Sequence, residues 1–74
     1  MYNNISKEEM IAIIENRIYF IENDLQHNIF TKDEELSIES PSQIVLDFLE
    51  ARLTDLGQQK AALIEELNRL KSQI

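Results

Sequence analysis

Residues 46–74 read LDFLEARLTDLGQQKAALIEELNRLKSQI, and the spacing of their leucines decides the fold. Leu49, Leu56, Leu63 and Leu70 recur at every seventh position, with Leu46, Leu53, Lys60 and Leu67 standing three residues before them and Ile74 continuing that second row. Eight of these nine successive a and d positions are apolar, Lys60 being the exception. A repeat sustained this long argues a helix built to pack against another helix, because scattered hydrophobicity does not hold a seven-residue phase.

The first half of the chain supplies a partner. Ser6-Lys7-Glu8-Glu9 has capping-box spacing, with Ile5 and Met10 placed to staple across the cap. Ile11, Ile14, Ile18, Ile21 and Leu25 then alternate by three and four, which puts them on one helical stripe. This predicts helix A over about 6–29. At Ser40-Pro41-Ser42-Gln43, Ser40 is the expected N-cap, Pro41 the first helical residue and Gln43 the return partner of a second capping box. Helix B is predicted over about 41–74, with Asp47 and Glu50 early and Arg69 and Lys71 late to complement its dipole. Glu65 and Arg69 have the spacing of a favourable i,i+4 pair. The stretch 30–40 is an acidic connector in which Thr31 to Glu34 allows one helical turn, and Phe30, Leu36 and Ile38 are expected to tuck under the hairpin end. The expected fold is therefore all-α: residues 1–74 as a single antiparallel helical hairpin, assembling into a four-helix bundle or coiled-coil oligomer.

The argument for assembly is geometric. At 1.5 Å per residue, helix A spans about 35 Å and helix B about 51 Å. Leu67, Leu70 and Ile74 would then overhang into water while continuing the seam, although burying one such side chain is worth about 1.5–3 kcal/mol. The seam Leu46, Leu49, Leu53, Leu56, Lys60, Leu63, Leu67, Leu70 and Ile74 is accordingly the expected self-association surface, in a dimer or larger homo-oligomer. Met10, Ile13 and Phe20 on helix A, and Ile44, Val45 and Phe48 on helix B, widen both apolar arcs and define a second apolar surface.

Composition bounds the rest. A domain of 74 residues buries only about 60% of its unfolded surface, so its core alone is marginal. There is no cysteine and one histidine, which leaves no disulfide framework and no thiolate or imidazole metal set. No cofactor or metal is expected. The net charge is -7, and nine of the fourteen acids lie before residue 41 against three bases, so the acidity belongs to the first half. A chain without a basic patch forgoes the counterion release that drives nucleic-acid affinity, and is repelled by anionic membranes. A protein partner fits instead, and the charge allows a basic one. The N-terminus shows neither a secretory pattern nor an apolar run of membrane-spanning length, which predicts a cytoplasmic protein. Its Ile, Asn, Lys and Glu usage points to a bacterium or a phage.

Single residues admit two readings each. Lys60 at an a position either selects register or snorkels out at the seam edge. Gly57, in mid-helix, admits a close approach or a kink, or is neutral drift at a cost of about 1 kcal/mol. His27 reads as a surface histidine near a helix end. Tyr19 and Tyr2 could line an aromatic pocket, or Tyr19 could mark the margin of an interface with Phe20. Asp33, Glu34, Glu35 and Glu39 form an acidic tip without the glycine and spacing of a calcium loop. No nucleophile has a base at a useful spacing and no glycine-rich loop is present, so no catalytic residue is expected and the protein is read as a non-enzyme.

Two families share parts of this plan. A helix, a connector near Phe30-Thr31 and a second helix opening on Ser42-Gln43 with Leu46-Asp47 resembles the small sporulation-regulating aspartyl-phosphate phosphatases, whose hairpin bears a Ser-Gln-x-Leu-Asp motif. This chain has one residue more within the motif, Ile44-Val45 standing where the family has one. The acidic tip is similar to the coiled-coil domain of Gre-type transcript-cleavage factors, which insert acids into the polymerase channel; their globular partner domain has no counterpart here. The expected function is a small non-enzymatic protein–protein interaction module, a regulator, adaptor or inhibitor acting through helix packing. The alternatives are an anionic mimic that blocks a basic nucleic-acid or enzyme channel, an oligomer that sequesters a small ligand between protomers, and a phosphatase-like hairpin.

Overall fold

The structure, a computed structural model, describes residues 5–73 and consists of α1 (Lys7–Ser37) and α2 (Gln43–Ser72), packed on each other as a helical hairpin. Tyr2 and Ile74, both singled out from the sequence, lie outside the described residues.

The start of α1 follows the local code. Ser6 is the N-cap, its hydroxyl accepting from the Glu9 amide at 3.1 Å while the Ser6 amide donates to the Glu9 carboxylate at 3.3 Å. The reciprocal pair satisfies two of the amides that a helix start leaves without partners.

The end of α1 departs from expectation. It runs to Ser37, so the connector shrinks from 30–40 to 38–42 and the helices are nearly equal, at 31 and 30 residues. Two causes are visible. Residues 30–37 contain no glycine or proline and include the good helix formers Lys32, Glu34, Glu35 and Leu36. The three-and-four spacing also continues beyond Leu25 through Asn28, Lys32 and Glu35, a seam that has turned polar rather than stopped. Ser37 closes the last turn by donating to the Glu34 carbonyl at 2.7 Å, and Ile38 is extended.

Helix α2 begins two residues later than the Ser-Pro signal suggests. Ser42, not Ser40, is the N-cap and accepts from the Val45 amide at 3.3 Å. The residue three beyond Ser42 is Val45, which cannot return a hydrogen bond, so the Ser42 amide donates instead to Glu35 of α1 at 2.8 Å. A tertiary carboxylate thus completes the cap. Near the far end, Arg69 pairs with Glu66 at 2.9 Å, taking the i,i+3 partner rather than Glu65.

Three ion pairs between the helices fix an antiparallel register: Lys32 with Glu50, Glu22 with Lys60 at 3.1 Å, and Glu15 with Lys71 at 3.2 Å. As the partner on α1 moves toward the N-terminus, its partner on α2 moves toward the C-terminus. The C-terminal turns of α2 therefore lie beside the first turns of α1. Leu67 and Leu70 are half-buried there rather than overhanging, which removes the length mismatch behind the expected self-association through that end.

The core is one row deep. Ile14, Leu49 and Leu56 are its buried apolar residues, Asn28 is the buried polar one, and no described side chain falls below 2% exposure. Asn28 meets its hydrogen-bonding need locally, donating to the Asp24 carbonyl at 2.7 Å one turn back. Two helices enclose only the strip between them, so most seam residues remain half-exposed.

Candidate interaction surface

The two flanks of the seam differ. Residues that follow a d position, Glu15, Glu22 and Glu50 among them, line one flank, and all three interhelical ion pairs lie there. Long side chains strap that side closed. Lys60 belongs to this arrangement: it leaves the seam edgewise to reach Glu22, its side chain 32% exposed. Such half-solvated pairs add little stability individually, at about 0–1 kcal/mol, but they cover apolar surface with methylene groups.

The other flank is open. Between the helices lies a groove of about 430 Å³ lined by Arg17, Phe20, Ile21, Gln59, Ala62 and Leu63. Ile21 and Leu63 are seam residues seen from the side, Ala62 leaves the floor low, and Phe20 stands at the edge, 56% exposed. The Phe20 ring is held edge-on by Tyr19, with centroids 5.8 Å apart and planes at 66°. Met10 and Ile13 sit one heptad before Arg17 and Phe20, and Phe48 two heptads before Ala62, so all three share this side of the hairpin.

The residues singled out from the sequence are distributed as follows. The described part of the seam, Leu46 to Leu70, faces α1 of the same chain, Leu49 and Leu56 being buried and the rest half-buried, so it is occupied within the hairpin. Met10, Ile13, Phe20 and Phe48 lie along the open flank, whereas Ile44, 82% exposed, sits on the outer face of α2. Phe30, Leu36 and Ile38 do not tuck under the hairpin end but are all more than half exposed, because the longer α1 carries them along the rod.

The acidic tip divides. Asp33, Glu34 and Glu39 are exposed, but Glu35 is half-buried as the cap partner of Ser42. Ser42 is committed to capping, and Gln43 donates to Asp47 at 2.8 Å, so the residues of the Ser-Gln-Leu-Asp resemblance serve the start of α2. His27 is exposed, and its carbonyl accepts from Thr31 at 2.9 Å. A Cβ built on Gly57 meets nothing within 4 Å, and its φ is not positive, so nothing in the chain requires glycine there. Among the described residues no three His, Cys, Asp or Glu side chains cluster to hold a metal, and no helix is long and apolar enough to cross a membrane.

Sequence reading missed Arg17, Gln59 and Ala62 as members of a surface. The available signal was their phase: each lies beside the seam on the same flank, which becomes visible once α1 is assigned its own heptad. Compared with known proteins, the chain matches no family model, no curated protein and no solved structure.

Proposed function

We propose that this chain is a small, acidic, non-enzymatic interaction module, a regulator, adaptor or inhibitor that acts by packing its helices against protein. The supporting observation is the imbalance between core and surface. Among the described residues three apolar side chains are buried, while Phe20 and Phe48 stand 56% and 65% exposed on the open flank, which Met10 and Ile13 share, and Ile44 stands 82% exposed on the outer face of α2. Large apolar side chains repeated along one flank of a helical rod favour a protein contact. A cytoplasmic setting belongs to this reading, as does a bacterial or phage source, the latter resting on composition alone.

The test is photo-cross-linking from positions 20 and 48 in cells that make the protein, repeated in their extract brought to low or high salt before irradiation. Discrete protein adducts that still form at about 0.5 M salt support helix packing, since screening removes long-range charge attraction but not apolar burial. Absence of adducts at both positions overturns the reading. The exposed acids Asp33, Glu34 and Glu39 at the turn end favour a second reading, the anionic mimic. That reading is supported if binding is salt-sensitive and is lost on neutralising those three residues.

A further inference from the structure

We propose that a second copy of this chain docks on the open flank, antiparallel to the first, with the two Phe20 rings meeting at the two-fold axis. This identifies the partner and the face for the interaction module proposed above, and rests on that reading. The opposite flank is already covered by the Lys32–Glu50, Glu22–Lys60 and Glu15–Lys71 pairs, whereas among the described residues the groove side has no ion pair between the helices. A two-fold interface must be self-complementary, each patch meeting itself across the axis. Phe20, 56% exposed at the edge of the groove, meets this requirement by stacking on its own copy at the axis.

Charge supplies the orientation. Asp24 lies one heptad from Arg17, and Arg52 and Glu66 lie one heptad either side of Gln59, so all four share the groove flank. Arg17 and Asp24 bracket Phe20 about one turn away on each side, and Arg52 and Glu66 bracket Gln59 by two turns. Neither arginine makes an ion pair within the chain among the described residues, while Glu66 is held only by Arg69 on its own exposed surface. A two-fold axis crossing α1 at the level of Phe20 lays α1 over α1 in opposite directions. Arg17 of each copy then meets the partner's Asp24, while Arg52 and the partner's Glu66 lie on the same α2 side of the contact. The same axis brings the Met10–Ile13 end of one copy to within about a turn of the level of the partner's Phe48. The size permits this: the hairpin is 54 Å long and 19 Å wide, so its outline of about 1,000 Å² is the ceiling on a footprint per copy, against roughly 800 Å² per partner in a standard specific interface.

The experiment measures mass by light scattering after size exclusion, from micromolar to several hundred micromolar at low salt, with circular dichroism to verify helicity. The parent is expected to dimerise. Phe20→Asp and Arg17→Asp are each expected to raise the dimer dissociation constant at least tenfold, Phe30→Asp to leave it within threefold, and Arg17→Asp with Asp24→Arg to restore it to within threefold of the parent. Because the chain has no cysteine, a second readout is independent of destabilising changes. Gln59→Cys protomers are expected to be joined by a short bis-maleimide linker, and Gln58→Cys protomers, on the outer face, are not. A parent that stays monomeric throughout overturns the second-copy proposal, while the interaction-module reading is decided separately by the in-cell cross-links. A dimer disrupted by Phe30→Asp but not by Phe20→Asp overturns the face. Failure of the charge-swapped pair to recover, or equal linking at positions 58 and 59, overturns the orientation.

Discussion

Gly57 offers the most direct test of how the two flanks are used. It lies in the middle of α2 on the strapped side of the seam, with an ordinary helical φ and open space where a Cβ would stand. Glycine in a helix interior costs about 1 kcal/mol relative to alanine, through backbone entropy in the unfolded chain. With no clash and no positive φ to offset it, Gly57→Ala should recover nearly that whole amount per protomer. For a domain of this size 1 kcal/mol corresponds to roughly 4–8 °C in Tm. The assay is thermal unfolding followed at the helical dichroism band, with parent and variant at the same protein concentration, because the proposed self-association would make Tm concentration-dependent. A Tm at or below that of the parent would refute the reasoning. It would mean that something outside the chain occupies the space beside Gly57, and hence that the strapped flank, not the groove, is the contact face.

Other perturbations follow from the same packing. Leu56→Ala, at a position 4% exposed, should destabilise by about 2–4 kcal/mol, toward the lower part of the core range because the thin core can collapse around the gap; urea unfolding measures it. Glu35→Ala leaves the Ser42 amide without its carboxylate and should cost about 1 kcal/mol, with faster amide exchange confined to the first turn of α2. Asn28→Leu replaces the buried polar seam residue and should raise stability by about 1–2 kcal/mol. It should also broaden the oligomer distribution in sedimentation velocity, since a buried polar seam residue penalises alternative registers; a sharper distribution would contradict that role.

What the sequence determined by itself was the periodic part. The leucine heptad of α2, the isoleucine stripe of α1 and the capping box at Ser6 are local or strictly repeating signals, and they specify two helices that must pack on one another. The polar stretch of the seam was not legible in that way. Asn28, Lys32 and Glu35 look like a stripe ending; their spacing and the helix formers around them let α1 continue to Ser37, and Glu50 pairing with Lys32 and the Ser42 amide donating to Glu35 hold them in the seam. That extension equalised the helix lengths and drew Leu67 and Leu70 into the hairpin. The open groove and the strapped flank likewise exist only as relations between residues of two helices. Their register is set by side chains reaching across the seam, a long-range pairing that the spacing along a single strand of sequence does not encode.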